Sequence, residues 1–205
     1  MILFQKLLEV QINSRPKMTT DKVVTGVLML GEMLEQPKVL ADSIKLWDQD
    51  ISAICSVLPE KIQGVVFIGR GSSDNAATIG RYAVEAFTGI PASLAAPSLS
   101  TRYAPHTSYV DYVIVAMSQS GGTPEVIAAA SALKGKGSKI IAITNSEDSS
   151  LARIADLHID LQAGVEKAVP ATKTVTAQVL AVLKIASALA KKKGLDSPIS
   201  QDELM

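Results

Sequence analysis

Short runs of continuous apolar residues, each closed by glycine or a small polar residue and most leading into a helical pattern, constrain this chain most. The continuous runs are Val65-Val66-Phe67-Ile68 and Tyr112 to Met117; Lys139 to Thr144, Leu157 to Leu161 and the shorter Pro91 to Ala95 read as further strands. A strand that is apolar on both sides must be covered on both faces, and strands that alternate with helices give a parallel sheet. The chain is therefore expected to be an α/β protein of three αβα layers around a five-stranded, parallel, doubly wound sheet.

The intervening segments read as helices. Leu28, Leu30, Met33 and Leu34 recur near helical spacing until Pro37 interrupts. A second helix is expected from about Val39 to Val57, with Ile44, Trp47, Ile51, Ile54 and Val57 on one face. Ser72 or Ser73 is expected to cap a helix running to about Phe87, which Gly89 ends. Thr123-Pro124 opens another, with proline at the favoured first-turn position, and a long helix runs from about Thr172 to Lys193. Five strands in this arrangement suit a flavodoxin-like sheet preceded by N-terminal helices. In such sheets ligands sit beyond the carboxyl ends of the strands, near the switch in strand order, which singles out segments 69–73, 118–123 and 144–149. The expected organisation is a leader or flexible arm over 1–20, N-terminal helices over 21–60, the sheet domain over 61–194 and the start of a linker over 195–205.

Charge and cysteine content narrow the partners. Lys plus Arg and Asp plus Glu each number 20, so the formal net charge is zero, which gives no reason to expect a nucleic-acid partner. The single cysteine, Cys55, precludes an intramolecular disulfide, and a reducing, cytoplasmic setting is the default expectation. Ile2-Leu3-Phe4 is broken by Gln5 and Lys6, too early for a signal-peptide core. No stretch approaches the roughly 20 apolar residues of a membrane span, so no membrane association is expected.

The segment Ser118-Gln119-Ser120-Gly121-Gly122-Thr123 lies between an apolar strand and a helix. Its glycines let the backbone fold tightly with amides inward, and the helix start adds unpaired N–H groups. Ser118, Ser120 and Thr123 add hydroxyl donors, so the loop can enclose a phosphate without a cation. The plainer alternative is a Gly-Gly turn with Thr123 as a helix cap. No Gly-Lys-Ser/Thr closes the loop, so it is not a nucleotide P-loop. A second turn, Gly69-Arg70-Gly71-Ser72-Ser73-Asp74-Asn75, lacks the third glycine of a dinucleotide fingerprint. Its serines suit sugar hydroxyls.

Taken together, these loops resemble the SIS (sugar isomerase) domain family. The matching pieces are Met33-Leu34-Glu35-Gln36-Pro37, Arg70 to Ala76, Ala96-Pro97-Ser98, Ser118 to Thr123, Ala163-Gly164-Val165-Glu166 and Val169 to Thr174. They run in family order from about residue 27 to 190. The pattern is similar to the first such domain in the isomerase half of glucosamine-6-phosphate synthases and their glutaminase-lacking, deaminase-like relatives. The resemblance implies that Ser118, Gln119, Ser120 and Thr123 hold a sugar phosphate. It also implies that Ser72, Ser73 and the backbone near Val169 face the sugar, with Lys173 nearby. Departures are Gly122 for an acidic residue, Ser72 for threonine and Pro170 for alanine. The family's paired enzymes carry two such domains, and their acid–base residues look to reside in the second. The resemblance thus points to a half-enzyme for fructose 6-phosphate and glucosamine 6-phosphate interconversion. A self-contained dimeric isomerase and a non-catalytic phosphosugar sensor remain open.

Isomerisation needs a base to move a proton between C1 and C2 and an acid to open the ring. Glu166 is the candidate base and His106 the candidate acid, each with a plainer reading as a solvated side chain. Lys173 suits either the phosphate or a structural carboxylate, and His158 a strand face. No metal-ligand spacing appears, and no cofactor or metal is expected. Surplus apolar surface on the first two helices and the last predicts a homodimer.

Overall fold

The computed structural model describes residues 26–103, 107–169, 171–197 and 199–204. Its chain order is α1 (Val27–Lys45), α2 (Trp47–Val57), β1 (Gly64–Ile68), α3 (Ser72–Thr88), β2 (Ala92–Leu94), a π-helical turn (Leu99–Tyr103), β3 (Tyr112–Met117), α4 (Pro124–Lys134), β4 (Lys139–Thr144), α5 (Ser150–Ile154), β5 (Leu157–Asp160), α6 (Lys173–Lys192) and α7 (Gln201–Leu204). The five strands form one parallel sheet in the order β2-β1-β3-β4-β5. This is the expected doubly wound, three-layer arrangement.

The apolar runs are buried on both faces because successive side chains alternate. Val65, Phe67, Val113, Val115, Met117, Ile141 and Ile143 point into one core with α3, α6 and the N-terminal helices. Val66, Ile68, Ile114, Ala116, Ile140 and Ala142 point into a second core beneath α4 and α5. Helix α3 packs closely on the first core at Gly80, where a Cβ would collide with the Phe67 ring and Val182. Here glycine serves approach, not turning.

Three expectations need correction. Pro37 does not end the first helix; it lies inside α1, and the break falls at Leu46. Pro37 is exposed, so the Met33 carbonyl it leaves without a helical partner faces a wet side. The break turns the chain so that Ile44, Trp47, Ile51 and Ile54 all enter the core. Ser72 and Ser73 do not cap α3: Gly71 holds the N-cap position and no side chain caps the helix. Ile199 and Leu204, within the segment 195–205 expected to start a linker, pack against the first core.

Helix α6 is by length and hydropathy able to cross a membrane, contrary to the expectation that no stretch approaches such a span. It is instead largely buried within the protein. Its apolar residues are interrupted by Thr174, Gln178, Lys184 and Ser187, so no continuous apolar run signals it. Lys184, only 1% exposed, is held by Asp50 Oδ2 at 2.5 Å, the Ser43 carbonyl at 2.6 Å and Ser43 Oγ at 3.0 Å. A buried ammonium is tolerated only with partners of this kind.

Candidate functional site

The chain leaves β1 toward β2 on one side and later enters β3 on the other. The switch in strand order therefore lies between β1 and β3. Loops 69–71 and 118–123 emerge there side by side, at the carboxyl edge where doubly wound sheets bind ligands.

The 118–123 loop is held by its own hydroxyls and by β4. Ser118 Oγ accepts the Gly121 N–H at 3.1 Å and lies 2.9 Å from Thr123 Oγ1. Ser120 Oγ accepts the Gly122 N–H at 3.3 Å. The Asn145 N–H donates to the Gln119 carbonyl at 2.9 Å, and the Leu151 N–H to the Gly121 carbonyl at 3.0 Å. Gly121 has φ 63°, and a Cβ there would overlap Ser149. Thr123 occupies the N-cap position of α4 but makes no capping bond; its hydroxyl pairs with Ser118 instead. Each serine that accepts from the loop backbone keeps a hydroxyl proton, so the Ser120 O–H and one proton of the Ser118–Thr123 pair remain to be donated. The first-turn N–H groups of α4 add the positive end of its dipole. The loop can thus cradle an oxyanion with neutral donors.

On the β1 side, Ser72 and Ser73 lie in the first turn of α3, half-buried and buried respectively. Neither hydroxyl has a hydrogen-bond partner among the described residues. On the β4–β5 side, Gln119 lines a cleft of about 510 Å³ with Asn145, Asp160, Gln162, Gly164, Val165 and Glu166. Of these, Asn145, Asp160 and Gln162 were missed by the sequence reading. Only Asn145 lies in a segment that strand order had singled out. Asn145 ties the cleft together: Nδ2 donates to the Gly164 carbonyl at 2.7 Å and Oδ1 accepts the Ala163 N–H at 2.8 Å.

Glu166, the candidate base, is already engaged. Its carboxylate accepts from the Thr172 N–H at 2.7 Å, Thr172 Oγ1 at 2.9 Å and Thr174 Oγ1. Burial pushes its pKa up, but the hydrogen bonds from Thr174 and Thr172 outweigh this and hold it below the ordinary range. The group is built as a carboxylate that fixes the start of α6. Lys173, expected near the sugar, is buried and paired with Glu35 Oε2 at 2.5 Å. The Val169 side chain is exposed. His106 and Pro170 lie outside the described residues.

Helix α1 positions this whole loop. Buried Glu32 accepts the Lys167 N–H at 2.6 Å and the Ala168 N–H at 3.1 Å, and Glu35 holds Lys173. The leucine pattern of α1 hid this, because Leu28, Leu30, Met33 and Leu34 are the exposed side and Glu32 the inward one. Beneath the 118–123 loop, His158 Nε2 lies 2.8 Å from Thr144 Oγ1, in line with its expected place on a strand. Burial lowers its pKa, against the opposing pull of Asp160 and Glu147.

A parallel doubly wound sheet with a hydroxyl-lined, glycine-turned loop at its switch point defines the class. The chain belongs to the SIS domain family, whose model matches residues 60–188. It is 34% identical over 174 residues to the isomerizing glutamine–fructose-6-phosphate aminotransferase of Gloeobacter violaceus, covering 82% of this chain and 28% of that protein. Among solved structures, a Silicibacter pomeroyi protein provisionally assigned as a phosphosugar isomerase superposes with TM-score 0.75 at 30% identity, covering 82% of this chain and 51% of that one. The C-terminal domain of the Francisella tularensis glucosamine–fructose-6-phosphate aminotransferase gives TM-score 0.74 at 25% identity, over 90% and 52%. The chain thus spans under a third of the curated relative and about half of each solved chain.

Proposed function

We propose that this chain binds a sugar phosphate, with the phosphate on Ser118, Gln119, Ser120 and Thr123 and the sugar against Ser72, Ser73 and the backbone near Val169. The observation that carries the reading is the 118–123 cradle at the switch point, with the unpaired serine hydroxyls beside it. In this proposal the chain supplies the phosphosugar domain of an amino-sugar phosphate aminotransferase, isomerase or deaminase acting between fructose 6-phosphate and glucosamine 6-phosphate. Similarity to the aminotransferases supports that choice. The domain anchors phosphate and orients C1 and C2; such positioning can contribute a large share of catalysis.

Lys173 enters this reading as a support for the loop through Glu35. A self-contained isomerase with Glu166 as base would need to release three donors. Turnover by the purified chain, abolished by Glu166→Gln, would establish that reading in place of ours. A second copy of the chain is proposed to cover the exposed Val27, Leu28, Leu30, Met33 and Leu34 of α1. Gel filtration of the chain beside its Leu34→Glu variant tests this: monomer for both sinks it. A cytoplasmic setting is part of the same proposal and suits the free Cys55 thiol.

The decisive test is a thermal-shift series with fructose 6-phosphate and glucosamine 6-phosphate. A ligand at 100 times its dissociation constant should stabilise the fold by about 2.7 kcal/mol. Ser118→Ala with Thr123→Ala should erase the shift. No shift with either ester overturns the proposal.

A further inference from the structure

A second cleft, of about 370 Å³, opens at the same edge of the sheet, lined by Arg70, Pro97, Ser98, Arg102, Tyr103 and Glu125. Arg70 follows β1, Arg102 lies in the π-helical turn after β2, and Glu125 is in the first turn of α4, two residues beyond Thr123. The 118–123 loop therefore stands between two different environments. The β4–β5 cleft contains Asp160, Glu166 and side-chain amides and no cation. The β1–β2 cleft contains two guanidinium groups and one carboxylate.

Both arginines are exposed, and neither has an ion pair or a side-chain hydrogen bond among the described residues. Glu125 likewise forms no ion pair with either. Elsewhere, Arg81 pairs with Glu85 on the surface of α3, as solvent-facing arginines commonly do. Two unpaired guanidinium groups in one concavity form a donor array suited to a carboxylate or phosphate.

We infer that Arg70 and Arg102 form a subsite for a second oxyanion carried at the far end of the bound sugar phosphate. This rests on the phosphosugar reading of the 118–123 loop and narrows its substrate class. The path between the two sites is chemically suited to a sugar. Ser72 and Ser73, with their unengaged hydroxyls, directly follow Arg70 and Gly71 at the switch point. Adjacent strands are about 4.8 Å apart. The loops after β3, β1 and β2 thus span about 10 Å, a length comparable with an extended hexose phosphate. The shared chemistry is an acidic group at C1, and its source is either a second phosphate or a carboxylate.

Binding is measured by calorimetry on the full chain with fructose 6-phosphate, fructose 1,6-bisphosphate and 6-phosphogluconate. The subsite predicts that at least one of the two doubly anionic esters binds about tenfold or more tighter than fructose 6-phosphate, as expected for charge-assisted hydrogen bonds. Which one gains identifies the source of the anion. The advantage should shrink with added salt. Arg70→Gln with Arg102→Gln should remove the advantage and leave fructose 6-phosphate affinity within about threefold, since those side chains then touch only the second anion. No preference for either dianionic ester overturns the subsite. So does an equal loss for all three ligands in the double variant, which would give the arginines to the first phosphate. If none of the three binds, the phosphosugar reading itself falls, and the subsite with it.

Discussion

Gly121→Ala tests whether the 118–123 loop has the tight, Ser149-packed shape that its hydrogen bonds give it. Gly121 adopts φ 63°, and its Cα points at Ser149, so an added methyl group overlaps Ser149 Cβ and Oγ and reaches 3.1 Å from Thr144 Cγ2. The left-handed backbone costs a residue with a Cβ about 1–2 kcal/mol. Overpacking adds about 1–3 kcal/mol. The expected loss is therefore about 2–5 kcal/mol, a fall in Tm of about 4–20 °C for a chain of this size. Gly122→Ala is the control: its φ is not positive, and an added methyl meets only Ser120 Oγ at 3.6 Å. It should stay within about 0.5 kcal/mol of the parent. A double-mutant cycle with Ser149→Gly separates the two costs. That change alone removes an N-cap oxygen, which accepts the Ala152 N–H at 3.2 Å, and glycine in its place costs a few tenths of a kcal/mol. In the Gly121→Ala background it should recover the steric part and leave the backbone part, a coupling of about 1–3 kcal/mol. Urea melts supply the numbers. Equal stability of Gly121→Ala and Gly122→Ala, or an additive cycle, would refute the reasoning.

Two further outcomes follow from the buried charges. Asp50→Ala should cost about 3–5 kcal/mol, because it leaves Lys184 buried without its counter-charge; Lys184→Met should cost less, since Asp50 is partly exposed and can be solvated. Chemical denaturation of the pair checks the order, and the reverse order refutes it. The acid limb of stability should fall in two stages. His158 has a lowered folded pKa, so its contribution is complete above about 6.5, the unfolded value, and is lost as pH falls toward the lower folded one. Glu166 is also lowered, so its contribution is complete above about 4.3 and is lost as pH falls through its folded value. Melts across pH 7 to 3 should lose the first stage in His158→Gln and the second in Glu166→Gln. Unchanged profiles in both would refute the assignment.

Much of this was legible because it rests on local chemistry. Unalternating apolar runs can be satisfied only by covering both faces, so β3, β4 and their helices fall where their residues demand. Ser118 to Thr123 reads as an anion loop because glycines, hydroxyls and a helix start stand in sequence. The α1 face was not legible. Its leucines and Met33 suggest an inward stripe, yet Glu32 is the buried residue, because the loop at 167–168 presents N–H groups that need an acceptor. The occupation of Glu166 was hidden for the same reason, since its donors lie six and eight residues away, across a turn.

The sequence by itself determined the doubly wound sheet and the tight glycine- and hydroxyl-rich turn at 118–123, because backbone satisfaction, side-chain alternation and turn chemistry act over a few residues. Only the tertiary structure decided which polar groups are spent on holding the fold and which stay available. Glu32, Glu35, Glu166 and Lys173 are bound into the frame around the loop, while Ser72, Ser73, Arg70 and Arg102 carry no such partners among the described residues. Partnership of that kind depends on which distant donors and acceptors packing brings within hydrogen-bond reach, and spacing along the chain does not encode it.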